Sequence, residues 1–487
     1  MPTHTYKLTW SVAATALLLA GCAPPAGTLD AAAKALDVTK VNGVTFAGAG
    51  TWTWFGQQIS PNEAWPAFAL TKFSAAISYA APAAHVEMER GVAADTARNR
   101  PAVKQTADQW ISGTSAWNVA TLAGGTPTAS AQPGAVAERQ AEIWSTPHGF
   151  LKAAVANKAT SKPANGGSEV SFSIGNAKYV GTINARNEVE KVQTWIDSPV
   201  LGDMSYETTF SDYKDFGGLR FPAHIVRTIA GNPALDVNVA SASATAPDIA
   251  VPENVKSFVA PPQKVEAQEM GKGVWWLTGG SHHNLLIEQN DHLVLVEGAV
   301  DEARSLAVIA KVKEMVPGKP IKYVINTHSH FDHSGGLRTF VAEGATIVTH
   351  EANKAFYEKA WSNPRTLNPD ALAKARKAPI FETFTDKGVL TDGARTIEIH
   401  SLAGNGHSEG FAMVYLPAEK ILMEGDAFSP GAAPATAALD PVNPFTANLL
   451  ENIKRLKLEV DTITPIHGPR TTTVAELRTV TGQPAAK

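Results

Sequence analysis

Thr327-His328-Ser329-His330-Phe331-Asp332-His333-Ser334-Gly335-Gly336 directly follows the apolar run Lys322-Tyr323-Val324-Ile325-Asn326. A strand that ends in a loop this rich in imidazole and carboxylate is a candidate metal site at a strand end. His328 and His330 stand two apart, so in extended chain they point the same way toward one cation, while Asp332 and His333 turn toward a neighbouring point. Two ions are suggested. Gly335 and Gly336 permit close backbone approach where the loop enters the next helix.

Each such ion takes four or more N or O ligands, so four residues cannot close two sites. Further ligands must come from downstream. Three strand ends offer them: His407 in Gly404-Asn405-Gly406-His407-Ser408, Asp426 in Met423-Glu424-Gly425-Asp426, and His467 in Pro465-Ile466-His467-Gly468. Ten of the 14 His residues lie beyond residue 260, so the ligand chemistry is concentrated in the second half. There, strands at Val274–Leu277, Leu293–Glu297, Ile321–Asn326 and Ala345–Thr349 alternate with helical patterns over Asp301–Val316 and from Glu351, which argues an α/β layered domain.

The ordered set HxHxDH, then His, Asp and His, resembles the metallo-β-lactamase superfamily. The resemblance covers about 271–473 and implies an αβ/βα sandwich with a binuclear centre between its halves. It places His328, His330 and His407 on a first metal, Asp332, His333 and His467 on a second, and Asp426 as the bridge. It implies two divalent ions, zinc in the first instance with iron or manganese also compatible, and a metal-bridging hydroxide formed near neutral pH. Asp332 is then also the catalytic candidate, holding the attacking water. With metal-activated water as the nucleophile, no serine nucleophile is needed. The fold hosts many chemistries and does not decide the substrate. Zinc β-lactamases place Cys or no ligand where Asp426 stands, whereas glyoxalase II and the quorum-signal lactonases resemble this chain in having Asp. The expectation is an ester, lactone or thioester hydrolase, with β-lactam hydrolysis as the alternative.

Other residues near this set are more ambiguous. His282 and His283, in Gly279-Gly280-Ser281-His282-His283-Asn284, read as a surface turn that could otherwise touch substrate. Trp361, Phe381 and Phe384, in the long segment between Glu351 and Gly393, could form an apolar lid or equally pack on the preceding domain.

From about residue 44 to 260 the pattern differs. Segments such as Glu169–Ile174, Lys178–Ile183, Val189–Ile196, Met204–Phe210 and Phe221–Thr228 alternate in polarity between Gly, Pro, Asn and Asp clusters, which predicts a mainly antiparallel sheet. Ser205–Tyr213 followed by Gly218-Leu219-Arg220-Phe221-Pro222 resembles the curved sheets of periplasmic lipoprotein carriers. Trp52, Trp54 and Trp195 are expected in the core, with an apolar groove as the other reading. Residues 261–270 read as a linker, and 271–487 as the hydrolase domain.

At the N-terminus, Lys7 precedes the apolar run Leu8–Ala20, and Leu19-Ala20-Gly21-Cys22 ends it. This is a secretory signal over 1–21 that resembles a bacterial lipobox. The resemblance implies cleavage before Cys22 and acylation of that residue. Ala23 after the Cys is compatible with outer-membrane sorting, and 23–43 reads as a tether. The expected location is therefore the bacterial envelope, facing the periplasm, with a lipid-like or small-molecule substrate. Cys22 is the single cysteine, so no intramolecular disulfide forms.

Length and composition agree with this division. The 487 residues exceed one ordinary domain, and 44% hydrophobic against 18% charged residues suffice for sizeable cores. The 42 basic and 46 acidic residues carry no long run of one sign, which gives no footprint for nucleic acid. An apolar-ligand-binding lipoprotein with an accessory metal domain is the reading from a different class.

Overall fold

The computed structural model describes residues 1, 25–121 and 125–484. The signal segment and Cys22 lie outside the described residues. Between Gly43 and Ser243 the chain forms an all-antiparallel sheet of thirteen strands, counted among the described residues. Its first strand, Gly43–Thr53, lies at the middle and pairs with both Ala67–Ser78 and Asn232–Ser243. The period-two pattern is the cause of this architecture. In Gly202–Asp215, Met204, Tyr206, Thr208 and Phe210 all turn inward while their neighbours remain half exposed. Helices Val136–Trp144 and Pro147–Ala156 cover that apolar face through Ile143, Phe150 and Leu151. Gly181 makes room for the Phe150 ring, which would lie 2.4 Å from a Cβ at that position. The three tryptophans expected in the core are only half-buried, and Trp52 instead lines a cavity of about 270 Å³.

Within the segment expected to be a tether, Leu29–Ala35 is a helix capped by Thr28, and Ala32, Leu36 and Val38 join the core of the sheet. Likewise, the second half of the expected linker is the strand Glu266–Gly271, hydrogen-bonded to Val274–Thr278. The first segment is too rich in Ala to show a clear helical period, and the second too polar to show period-two alternation.

The remainder forms two sheets. One has seven strands from Glu266–Gly271 to Phe381–Phe384, and the other has five from Lys387–Thr391 to Thr462–Pro465. One apolar cluster unites them, with Leu285, Ile287, Val294 and Val296 from the first and Ile397, Ile399, Val414 and Met423 from the second. Helices Glu302–Met315, Leu337–Glu343 and Glu351–Trp361 share a separate cluster with the seven-stranded sheet. Pro444–Arg455 and Val474–Val480 pack with the five-stranded one. Strands buried on both faces explain the continuous apolar runs in this half.

The lid reading of the Glu351–Gly393 segment does not hold. Trp361 packs with Tyr357 and Phe381 in the cluster that also contains Ile196, Val200, Leu201 and Met204 of the N-terminal sheet. Arg365 donates to the Ser198 and Val200 carbonyls at 3.1 and 2.8 Å, and Asp203 accepts from the Thr366 and Leu367 amides. Phe384 belongs to the cluster between the two sheets. Trp361 and Phe381 are therefore spent on the junction of the two halves, and Phe384 on the core between the two C-terminal sheets.

Candidate metal centre

The Ile321–Ile325 strand delivers the HxHxDH loop, whose latter half winds into the short helix Phe331–Ser334. That turn separates the first two imidazoles from Asp332 and His333. Gly335 and Gly336 let the loop lie against its neighbours: a Cβ at either would stand 2.1 Å from Val300 O or Ser305 Oγ. His407 is presented by a local turn in which its amide donates to Asn405 Oδ1 at 3.0 Å. Asp426 follows the strand Ile421–Glu424. The buried Glu424 carboxylate accepts from the Ala427 and Phe428 amides at 3.0 and 3.2 Å, fixing the turn that carries Asp426.

The structure brings all seven sequence-predicted residues together. His328, His330, His407 and Asp426 form one group, and Asp332, His333 and Asp426 another, each with its ligand atoms within 4.8 Å of one another. Asp426 faces both. Its Oδ2 lies 3.1 Å from His407 Nε2 and 4.0 Å from His328 Nε2, while its Oδ1 lies 3.0 and 3.1 Å from the Nε2 atoms of His333 and His467.

These residues fit divalent ions. Asp426 Oδ1 is buried and makes no well-aligned hydrogen bond, although two imidazole nitrogens stand beside it. Burial pulls His330 down to about 3 and His328 well below its ordinary value, so both are neutral ligands at physiological pH. Burial alone would raise Asp426, but the neighbouring His333 and His407 hold it well below the carboxylate range. Against the same opposing cost of burial, Asp426 and Glu297 raise His333 well above its ordinary value. A cation at that position would displace its proton.

His328, His330, His333 and His467 each have a partner on the far nitrogen, which sets the nitrogen that faces the site. His467 Nδ1 lies 3.0 Å from the Ser281 carbonyl, and His333 Nδ1 lies 3.1 Å from Glu297 Oε2. His328 Nδ1 meets Thr327 Oγ1 at 3.0 Å, and that hydroxyl donates to the same Glu297 oxygen at 2.6 Å. Glu297 is fully buried at a left-handed φ of 81°. It therefore orients one ligand in each group. Sequence reasoning passed over it as the end of an apolar strand, although a carboxylate closing Leu293-Val294-Leu295-Val296 was the available signal.

His282 and His283 are not a surface turn. Both are buried, and His282 joins His333 and His467 in a third group of candidate ligands, with Nε2 3.5 Å from Asp332 Oδ2. His283 acts at one remove: its amide donates to Ile466 O and its Nε2 meets Gly468 O at 2.8 Å, clamping the loop that carries His467. A turn of small polar residues looks exposed in sequence, and only the strand pairing around it covers it.

Residues 277–478 match the model of the metallo-beta-lactamase superfamily. Over 158 residues the chain is 25% identical to the 2,4-dinitroanisole O-demethylase subunit alpha of Nocardioides sp. (strain JS1661), a match covering 31% of this chain and 43% of that relative. Among solved structures, a metallo-beta-lactamase from Pontibacter korlensis is 21% identical at a TM-score of 0.34, covering 45% of this chain and 98% of that one. The mono-zinc form of the metallo-beta-lactamase FIM-1 from Pseudomonas aeruginosa is 19% identical at 0.35, covering 46% and 96%. The C-terminal region of this chain is thus a metallo-beta-lactamase superfamily domain bearing a His/Asp metal-binding cluster.

Proposed function

We propose that the chain is a binuclear metal-dependent hydrolase that cleaves an ester, lactone or thioester, with the two sheets of its C-terminal region arranged as an αβ/βα sandwich. The observation that carries this reading is Asp426, whose two oxygens each face a different set of imidazoles. In the proposal His328, His330 and His407 hold one ion, Asp332, His333 and His467 the other, and Asp426 both. Zinc suits this N/O donor set, and iron or manganese would also be accepted. When bound, the ions acidify water and polarise the substrate oxygen. The chain supplies the rest. Asp332, with 42% of its side chain exposed, stands at the open side of the cluster, where it can orient the attacking water. Burial of His328, His330 and His333 excludes bulk water from the other side.

A β-lactam substrate is the alternative. The name of the O-demethylase relative describes action at a carbon–oxygen bond, which supports an ester or lactone over a ring amide and leaves the thioester resting on Asp426 alone. A hydrolysis screen of the zinc-loaded chain over lactones, thioesters, phosphodiesters and β-lactams tests the ranking. Higher kcat/KM for a lactone or thioester supports it, and a clear β-lactam preference overturns it.

The apolar side of one cavity, with Trp52, Phe73, Val86 and Met88, supports a second reading, an apolar-ligand-binding protein with an accessory metal domain, although Arg90, Glu138, Arg139, Glu142 and Arg227 line the same cavity. A metal-loaded chain that hydrolyses none of these substrates but binds a fluorescent fatty acid would favour it. The lipobox-like Leu19-Ala20-Gly21-Cys22 supports an envelope location with Cys22 diacylated and N-acylated, facing the periplasm from the outer membrane. Mass spectrometry of the mature N-terminus tests this, and an unmodified terminus elsewhere in the first thirty residues contradicts it.

A further inference from the structure

The loop 54–66 joins two central strands of the N-terminal sheet, Gly43–Thr53 and Ala67–Ser78. It is closed at its base by a 2.8 Å hydrogen bond from the Trp54 amide to the Pro66 carbonyl. Its tip lies against the metal loop of the other half. Phe55 and Trp65 meet the Phe331 ring edge-on at 5.0 and 6.3 Å, and the Phe331 amide donates to the Gly56 carbonyl at 3.1 Å. Gly56 has φ +73°, and a Cβ there would stand 2.5 Å from the Phe331 ring. Only glycine permits so close an approach in that conformation.

The next two residues reach candidate ligands. Gln57 Nε2 donates to Asp332 Oδ1 at 2.9 Å, which leaves Oδ2 to face His333 and His282. The Gln58 carbonyl accepts from His330 Nε2 at 2.9 Å, which leaves His330 Nδ1 facing His328 Nε2 at 3.1 Å. Ile59 O accepts from the Glu409 amide at 2.7 Å, and Arg100, also from the N-terminal region, donates to the Gly406 carbonyl at 2.8 Å beside His407. The seven-residue ligand set lies entirely in the C-terminal half, yet the partners that decide how two of its members point come from the other half.

We propose that loop 54–60 of the N-terminal sheet is a positioning element of the metal centre, with Gln57 selecting the Asp332 oxygen and the Gln58 carbonyl fixing the His330 tautomer. The inference rests on the metal-centre reading and gives the N-terminal sheet a part in it. A partner on the far nitrogen of a metal-binding imidazole fixes which nitrogen is free, and losing such outer partners typically costs ~10–100-fold in metal affinity. A loop that merely glued the halves together would not act on one ligand group more than on the other.

The test is calorimetric titration of the metal-free full-length chain with Zn2+, comparing wild type, Gln57→Ala, Gln57→Glu and Gly56→Ala, with the thermal midpoint of each metal-free protein. Wild type should show two binding events. Gln57→Ala should weaken one of them by ~10–100-fold, leave the other and the metal-free midpoint unchanged, and Gln57→Glu, which replaces the donor with a negative charge beside Asp332, should alter the same event and leave the other unchanged. Gly56→Ala, whose Cβ would press on the Phe331 ring and shift Gln57 and Gln58 together, should weaken both events. Unchanged affinities in both Gln57 variants overturn the proposal, as does an equal loss at both events in a Gln57 variant with a lowered metal-free midpoint. A wild-type chain that takes up no zinc would instead overturn the metal-centre reading itself.

Discussion

The two ligand groups differ in depth. His328 and His330 are essentially inaccessible, and His407 keeps 12% of its side chain exposed. In the other group His333 is buried, but Asp332 and His467 expose 42% and 25% of their side chains. The difference suggests a division of labour. A closed group holds an ion firmly, whereas an open group with a partly exposed carboxylate exchanges its ion and meets substrate. Asp426 couples the two.

Substituting a ligand in the closed group should do the most damage. His330→Ala is expected to lose bound metal and activity together, by more than the ~10–100-fold that losing an outer partner costs. Metal content after purification checks this, and a fully metallated, active variant would erase the distinction. His467→Ala should keep one ion per chain, because the closed group is intact.

Asp426→Ala comes next. Without the shared carboxylate, kcat should fall far more than KM changes, because the loss falls on turnover and not on substrate contact. Equal changes in the two constants would break the coupling. Glu297→Gln should have a smaller effect that is spread over both groups, since Glu297 meets His333 directly and His328 through Thr327. A loss of ~10–100-fold in metal affinity is expected, read as two weakened binding events in a zinc titration.

The smallest effect on the centre should come from a histidine far from it. His148 is fully buried against Phe221 in the N-terminal sheet, and burial lowers it to about 4. Its folded-state value lies below that of the unfolded chain, so the unfolded chain binds the proton first. Stability should therefore fall as pH drops from about 6.5 to about 4, by on the order of 3 kcal/mol. His148→Leu should flatten this slope in urea unfolding curves while leaving zinc affinity unchanged at neutral pH. A changed zinc affinity would show that the two regions are more tightly linked than their contacts suggest.

That these seven residues come together was legible because they fall, in the order of a known family, in loops that follow strands, and carry side chains with few other uses there. The alternation of Met204, Tyr206, Thr208 and Phe210 likewise made the antiparallel sheet readable, though not that it would run unbroken through thirteen strands. What escaped reading depended on contacts distant in sequence. Gln57 meets Asp332 across 275 positions and Gln58 meets His330 across 272, and no local pattern marks either. Trp361 and Phe381 left a lid and packing on the preceding domain equally open, because large aromatics in an insertion near a site suit either. Arg365 and Asp203 decide for the packing, by pinning the neighbouring chain to the N-terminal sheet. His282 illustrates the same point, since a Gly-Gly-Ser-His-His turn carries no sign in sequence of being covered.

The central claim is a pair of ions joined by Asp426, and metal counting tests it most directly. Wild-type chain loaded with Zn2+ and freed of excess should hold two equivalents by mass spectrometry of the metals, and Asp426→Ala under the same treatment should hold fewer. A wild-type stoichiometry of one or none, or an Asp426→Ala variant that retains both ions, would contradict the account.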